Sequence, residues 1–153
     1  MNSIFNFRAM TGLATSGSTG LLGGAFFFQF LGFAPCAMCL WQRWPHGAAI
    51  LIGVLALILG LRSLAWLGAI AAAITAGLGY YHTGVERDWW EGPTSCTGTG
   101  GLDPNNLLSM DGPALVMCDQ VSWEFLTLSM ATWNGLFSTC LVVIWILAAR
   151  AKA

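Results

Sequence analysis

Two pairs of cysteines in unlike settings are the residues of this chain whose types and spacing could do chemistry. Cys36 and Cys39 are separated by two residues and directly follow an apolar stretch, and Arg43 comes four residues later. Cys96 and Cys118 lie in the one long polar stretch of an otherwise apolar chain. One thiol pair at a membrane surface and a second pair in a water-exposed loop suggest two redox centres that pass electrons from a soluble protein toward the bilayer.

The spacing of Cys36 and Cys39 suits reversible oxidation, because two intervening residues allow a small, strained disulfide ring. Pro35 before Cys36 favours a helix start, and the N–H groups and dipole at a helix N-terminus stabilise a thiolate. Arg43 shares a helical face with both thiols and brings a permanent positive charge beside them. Pro45 removes one backbone donor from this helix, which leaves the placement of Arg43 relative to the thiols open by about one turn.

Other roles for the cysteines remain open at this stage. A zinc site with four cysteines usually has two Cys-x-x-Cys knuckles, whereas 21 residues separate Cys96 from Cys118. Structural disulfides are a second alternative, and a Cys96–Cys118 link would stabilise the fold by about 3 kcal/mol. Cys140 lies within an apolar segment and is interpreted as a small buried residue.

Composition identifies the chain as an integral membrane protein. Of its 153 residues, 56% are hydrophobic and 8% are charged, whereas soluble domains carry about 25% charged residues. The net charge of -1 offers no basic patch for phosphates, which argues against a nucleic-acid partner. Apolar segments long enough to cross the lipid bilayer as helices cover residues 11–33, 41–61, 63–81 and 123–149.

These segments predict an all-α integral membrane protein with one domain over residues 1–153. Its architecture is a bundle of four transmembrane helices, with a long periplasmic loop at residues 82–122 between the third and fourth helices. The first segment is interpreted as a retained helix, because it lacks a convincing signal-peptide cleavage site. Arg and Lys are more frequent at the termini and in the turn between the second and third helices, which favours cytoplasmic termini and places both cysteine pairs on the outer side.

Two histidines, His46 and His82, lie near the outer surface in this arrangement. Each could donate a hydrogen bond to a quinone oxygen or be an ordinary interfacial polar residue. The two together could also be paired haem ligands. The sequence alone leaves these three alternatives open.

Two stretches of the sequence resemble the DsbB family of bacterial inner-membrane disulfide bond formation proteins. Residues 35–43 read P-C-A-M-C-L-W-Q-R and are similar to the first-loop motif of that family. Residues 118–123 read C-D-Q-V-S-W, with S-M at 129–130 and W-N at 133–134, and are similar to the start of the family's fourth helix. With Cys96 earlier in the same loop, the resemblance extends over nearly the whole chain.

The resemblance implies a quinone-dependent thiol oxidase, a protein-disulfide-generating quinone reductase of the bacterial inner membrane. It would reoxidise a periplasmic, thioredoxin-like partner of the DsbA type, whose thiolate would attack Cys96 of a Cys96–Cys118 disulfide. Cys118 would then attack Cys36 and open a Cys36–Cys39 disulfide. The freed Cys39 thiolate would pass electrons to ubiquinone or menaquinone in the membrane.

Two further residues receive roles from the same resemblance. Arg43 would stabilise the Cys39 thiolate and the developing negative charge on the quinone, and His82 would be a quinone-side histidine, a looser match. A DsbA-like partner has a reduction potential near -120 mV, so an ordinary disulfide cannot oxidise it and a stronger terminal oxidant is required.

Two rival functions remain beside this one. A quinone-linked thiol enzyme that works in the reducing direction, similar to vitamin K epoxide reductase, would carry its Cys-x-x-Cys motif late in the chain, whereas Cys36 lies early. The other rival is a non-enzymatic membrane subunit with structural disulfides or with a haem held by His46 and His82.

Overall fold

The structure is a computed structural model that describes residues 6–94 and 116–151. It contains four long helices and one short β-hairpin. The helices are α1 (Phe7–Phe30), α2 (Ala37–Leu59), α3 (Ser63–Glu86) and α4 (Met130–Arg150), and the strands are β1 (Glu124–Phe125) and β2 (Leu128–Ser129). The part of the chain that the structure describes is therefore all-α apart from the hairpin, as the sequence predicts.

The helices form a bundle in which α1 packs against α2 and α4, and α3 packs against the same two helices. Among the described residues, α2, α3 and α4 are long and apolar enough to cross a membrane. Helix α1 has 24 residues and is about 36 Å long, but glycine, serine and threonine make its first half less apolar. Whether α1 also crosses the membrane remains a prediction.

Helix α1 begins and ends earlier than the predicted range of residues 11–33. The side chain of Asn6 caps its first turn by accepting a hydrogen bond from the Ala9 backbone N–H (3.1 Å). At the other end, Gly32 takes a φ of 100°, a conformation that a helix cannot contain.

Helix α2 begins at Ala37, four residues before the predicted start at residue 41. The sulfur of Cys36 caps the helix by accepting a hydrogen bond from the Cys39 backbone N–H (3.2 Å), so the cysteine motif itself forms the N-terminus. The helix continues through Pro45 to Leu59, and Gly60 ends it in the left-handed conformation. Three residues then lead into α3, which packs against α2.

Helix α3 extends to Glu86, whereas the sequence predicts its end at residue 81 and a loop from residue 82. Gly84 in this last turn gives room to the Trp90 ring, which would lie 2.0 Å from a Cβ at this position. The Trp90 indole folds back over the helix and donates to the Tyr81 carbonyl (2.9 Å). His82 is therefore a helical residue and not a loop residue.

Helix α4 begins at Met130 and not at residue 123 as predicted, because a hairpin occupies the preceding residues. Leu126 and Thr127 have φ values of 52° and 64°, the positive pair that a two-residue hairpin turn of type I′ requires. Ser129 then caps α4 by accepting a hydrogen bond from the Thr132 backbone N–H (3.2 Å). The hairpin lies over the end of the bundle that carries the cysteines, with Trp123 packed against Phe28 of α1 (5.0 Å between ring centroids).

Candidate functional site

A cavity of about 410 Å³ lies where the four helices meet the hairpin. This volume is within the usual range for small-molecule sites. Most of its wall is apolar, and six aromatic residues contribute to it: Phe28, Phe33, Trp123, Phe125, Trp133 and Phe137. The polar groups that reach the wall include both cysteines of α2, both histidines, Arg43 and Glu86.

Cys36 and Cys39 lie side by side on this wall at the first turn of α2. Their sulfur atoms are 2.8 Å apart, and both residues are free thiols. Cys36 is buried and Cys39 is partly exposed. The hydrogen bond between the two sulfurs, followed by burial, raises the pKa of the Cys36 thiol. Cys36 is therefore the protonated member of the pair, and its S–H group is available to stabilise a thiolate on Cys39.

Cys118 lies behind this dithiol and is fully buried. It packs in one apolar cluster with Cys36, Met38 and Val85, and it is disulfide-bonded. The predicted partner, Cys96, lies outside the described residues, so the Cys96–Cys118 pairing remains a prediction. The cluster nevertheless brings one residue of the second cysteine pair into the same buried cluster as the first.

Arg43 reaches the cavity from the second turn of α2, as its spacing from the cysteines predicts. Its guanidinium donates to the Gln29 side-chain oxygen (2.6 Å) and to the Ala25 carbonyl (3.3 Å), both on α1. The same group lies over the Phe26 ring, 4.8 Å from the centroid. The buried Nε atom has no hydrogen-bond partner among the described residues, so one donor is left for a ligand.

His82 lies between the two cysteine centres. Its Nε2 atom is 3.6 Å from the sulfur of Cys36 and 3.8 Å from a carboxylate oxygen of Glu86, and its ring hydrogen-bonds the backbone of Cys118. The Ser129 hydroxyl donates a hydrogen bond to the other carboxylate oxygen of Glu86. His82 thus lines the cavity, but its nearest thiol is Cys36.

A buried chain of side-chain hydrogen bonds connects His82 to His46 across three helices. Gln42 bonds His82 Nδ1 (3.0 Å), Asn134 donates to Gln42 Oε1 (2.7 Å), and Asn134 Oδ1 bonds His46 Nε2 (2.9 Å). Thr75 accepts a further hydrogen bond from the Asn134 amide (3.2 Å). No role is predicted from the sequence for Gln42, Thr75 or Asn134, although polar residues inside apolar segments are a signal that could have identified them.

The directions of these hydrogen bonds fix both imidazole tautomers. The Gln42 amide nitrogen also donates to the Met38 carbonyl (3.2 Å), so the group that faces His82 Nδ1 is a donor and Nδ1 accepts. His82 therefore carries its proton on Nε2. At the other end, Asn134 Oδ1 accepts, because Asn134 Nδ2 is used by Gln42, and His46 also carries its proton on Nε2.

The two histidine tautomers bear on whether the site could hold a metal ion or a haem. The ligand atoms of Cys36, Cys39 and His82 lie within 4.8 Å of one another, close enough for a metal ion, but a protonated Nε2 offers no lone pair to it. A zinc site with four cysteine thiolates is excluded in this state, because Cys118 is disulfide-bonded. For a paired-histidine haem, His82 has no free ring nitrogen, because Nδ1 accepts from Gln42 and Nε2 is protonated.

The prediction that Cys140 is a small buried residue is wrong, because Cys140 is an exposed free thiol on α4. In a bundle of apolar helices the outer surface is apolar as well, so an apolar neighbourhood in sequence does not distinguish an inward from an outward residue.

Comparison with known proteins agrees with the motif resemblance. The family model described as Disulfide bond formation protein DsbB matches residues 7–148. Disulfide bond formation protein B of Dechloromonas aromatica (strain RCB) is 31% identical over 134 residues, which cover 78% of each chain. The protein of the same name from Xanthomonas oryzae pv. oryzae (strain MAFF 311018) is 29% identical over 165 residues, covering 97% of this chain and 93% of that one. No solved structure matches the chain.

Proposed function

This chain belongs to the DsbB family of disulfide bond formation proteins, and we propose that it reoxidises a periplasmic, thioredoxin-like protein of the DsbA type at the expense of a membrane quinone. The observation that carries the proposal is the free Cys36–Cys39 pair on the wall of an apolar cavity, with the disulfide-bonded Cys118 in the same buried cluster as Cys36.

The proposed electron path runs through two disulfide exchanges. The partner's dithiol reduces a Cys96–Cys118 disulfide through a mixed disulfide with Cys96, and the partner leaves oxidised. The Cys118 thiolate then attacks Cys36 of a Cys36–Cys39 disulfide and releases Cys39 as a thiolate, and Cys96 closes the loop disulfide again by displacing Cys36. Two electrons thereby move from the loop pair to the α2 pair, which holds them as the free dithiol.

The cavity suits a quinone head group as the terminal acceptor, ubiquinone or menaquinone. A quinone takes up two electrons and two protons and becomes a hydroquinone. The aromatic wall would bind the ring, and the unpaired Nε–H of Arg43 would donate to one ring oxygen. Arg43 lies one helical turn after Cys39 on α2, where its permanent positive charge would help to stabilise the thiolate that gives up electrons.

We propose a role for His82 that differs from the quinone-side role implied by the resemblance. Its Nε2–H lies 3.6 Å from Cys36, and its ring holds the backbone of Cys118. It would therefore keep Cys118 aligned on Cys36 while forming part of the cavity wall. Removing it would impair exchange between the cysteine pairs as well as the quinone site.

We also propose the membrane arrangement, with α1 as a fourth crossing beside the three helices that meet the criteria of length and composition. Both termini would lie in the cytoplasm and the cysteine pairs on the periplasmic side of the inner membrane. Arg62 in the α2–α3 turn and Arg150 at the end of α4 lie at the end of the bundle opposite the cysteines, which supports this orientation.

The proposed function is tested by quinone reduction in a purified system. The detergent-solubilised protein is mixed with a reduced DsbA-type protein and a short-chain ubiquinone or menaquinone, and quinone absorbance is followed in the ultraviolet. We expect turnover with the wild type and its loss in the Cys39→Ala and Cys96→Ala variants. The matched control is Cys140→Ala, which should retain activity because this exposed thiol lies outside both pairs.

Two outcomes would contradict the proposal. Absence of turnover with both quinones would contradict the proposed oxidase activity. Turnover that survives in Cys96→Ala would show that the partner reduces the α2 pair directly and that the loop pair is structural.

A further inference from the structure

His46 is a buried histidine of the cavity wall that the proposed electron path does not use. Its side chain is 3% exposed, and it lies one helical turn after Arg43 on α2. Its Nδ1 atom is buried and has no hydrogen-bond partner among the described residues. An unpaired polar atom in an apolar interior is unfavourable, so a ligand that forms a hydrogen bond with this nitrogen would bind more tightly.

The chemical character of that nitrogen is set by the hydrogen-bond chain. The Met38 carbonyl orients the Gln42 amide, Gln42 orients Asn134, and Asn134 Oδ1 accepts from His46 Nε2 (2.9 Å). The Ser138 hydroxyl donates to the same Asn134 oxygen (3.4 Å). The proton of neutral His46 therefore resides on Nε2, and Nδ1 presents a lone pair.

We propose that His46 is a specificity-determining residue that binds the reduced form of the ligand, with Nδ1 accepting a hydrogen bond from a hydroquinone hydroxyl group. The inference rests on the proposed quinone site. A quinone has carbonyl oxygens and no O–H donor, so it cannot satisfy the Nδ1 lone pair, whereas the hydroquinone can. Arg43 supplies the complementary group, because its unpaired Nε–H can donate to a ring oxygen in either redox state.

This arrangement has a consequence for the direction of the reaction. A site that holds the hydroquinone more tightly than the quinone favours reduction of the bound ligand and makes release of the product slower. Loss of one buried hydrogen bond corresponds to about tenfold in affinity. Replacement of His46 by an apolar residue should therefore weaken hydroquinone binding about tenfold and leave quinone binding within about twofold.

The test measures equilibrium binding of a short-chain p-benzoquinone and of its hydroquinone to the fully oxidised protein, without oxygen. In that state the enzyme has no electrons to give, so binding is measured without turnover. The variants are His46→Phe and His46→Leu, two apolar replacements of different shape, each compared with the wild type for its melting temperature. The matched control is Ser138→Ala, which removes the other donor to the same Asn134 oxygen and should leave the affinities for both ligands unchanged.

The outcomes separate this inference from the proposed function. Binding of both ligands to the wild type, with the hydroquinone affinity alone lowered in a folded His46 variant, is the expected result. Equal loss of both ligands, or no change in either, would overturn the role of His46 and leave the quinone site intact. A wild type that binds neither ligand would overturn the proposed quinone site itself, and the inference with it.

Discussion

Cys36 and Cys39 are chemically unequal although only two residues separate them. Cys36 occupies the cap position of α2 and accepts a backbone hydrogen bond, and Cys39 lies in the first turn and on the cavity wall beside Arg43. The sulfur–sulfur hydrogen bond raises the pKa of Cys36. The position in the helix therefore makes Cys36 the buried, protonated thiol and supports the proposed role of Cys39 as the electron donor.

The inequality predicts how Cys36 responds to pH in the reduced protein. Because the raised pKa favours the thiol, the Cys36 thiolate should form only above the ordinary range for cysteine, near pH 8.5. Cys39→Ala removes the hydrogen bond that is the main cause, so the onset of Cys36 alkylation should move to lower pH. Burial persists in the variant and should keep part of the upward shift.

The measurement is alkylation by a small reagent as a function of pH, with mass spectrometry of the Cys36 peptide. The control is the Cys36 profile of the wild type under the same conditions, with alkylation of the denatured protein as the reference for complete reaction. An unchanged Cys36 profile in Cys39→Ala would show that the sulfur–sulfur hydrogen bond does not set the pKa of Cys36.

Gln42 is the residue on which the buried hydrogen-bond chain depends, because its amide connects Met38, His82 and Asn134. We expect Gln42→Leu to lower the free energy of unfolding by about 1–3 kcal/mol, since it leaves the Nδ1 atom of His82 without its donor. Denaturation in mixed detergent micelles would measure the loss. The control is Thr19→Val, which removes an exposed hydroxyl that donates to the Thr15 carbonyl within α1. An equal loss of stability in both variants would contradict a special role for the buried hydrogen-bond chain.

At the scale of the helices, close backbone approach between α3 and α4 holds the hydrogen-bonded side chains in register. Gly79 faces Gly135, and a Cβ at Gly79 would lie 2.8 Å from the Gly135 nitrogen and 2.9 Å from the Ala131 carbonyl oxygen. Backbone atoms cannot move aside as a flexible side chain can. Small residues at such contacts are typical of membrane helix pairs, and here they bring Asn134 of α4 toward Thr75 of α3.

This packing gives a matched pair of substitutions. Gly79→Ala should separate α3 from α4 and destabilise the protein by about 1–3 kcal/mol, the cost of overpacking. Gly77→Ala meets nothing within 4 Å and should be neutral or stabilising by about 0.5–1 kcal/mol, because alanine is the better helix former. Thermal unfolding in detergent compares the two, and equal effects would contradict the close approach.

The sequence predicts some of the elements that form the site and misses others. Four helices, the cysteine motif at a helix start and Arg43 on the same face follow from hydropathy, Pro35 and helical spacing, and the family follows from the motifs. The hairpin before α4 could not be predicted, because leucine and threonine, which stand at positions 126 and 127, rarely adopt positive φ. The partners of Gln42 and His46 on other helices could not be predicted either, because these hydrogen bonds join residues 33 to 92 positions apart.

At the scale of the whole molecule, the cysteines and the cavity lie at one end of the bundle, and the short α2–α3 turn lies at the other. In the proposed path the loop pair reacts with a periplasmic partner, and Cys118 of that pair lies in the same buried cluster as Cys36, so this end of the bundle would be the periplasmic end. The proposed orientation therefore makes the α2–α3 turn and both termini cytoplasmic, and it requires α1 to cross the membrane.

Reporter fusions test this orientation. Green fluorescent protein fused after Ala151 should fluoresce, and alkaline phosphatase at the same position should be inactive, because the C-terminus is expected in the cytoplasm. Alkaline phosphatase fused after Glu91, beyond the end of α3, should be active and serves as the matched control. An active phosphatase at the C-terminal position would contradict the proposed topology.

The central claim is that the two cysteine pairs exchange a disulfide directly through Cys118 and Cys36, which share one buried cluster. The most direct measurement is disulfide mapping by mass spectrometry of the Cys39→Ala, Cys96→Ala double variant, which retains three cysteines. We predict a Cys36–Cys118 disulfide with Cys140 free. Three free thiols after mild oxidation, or a disulfide that involves Cys140, would contradict the claim.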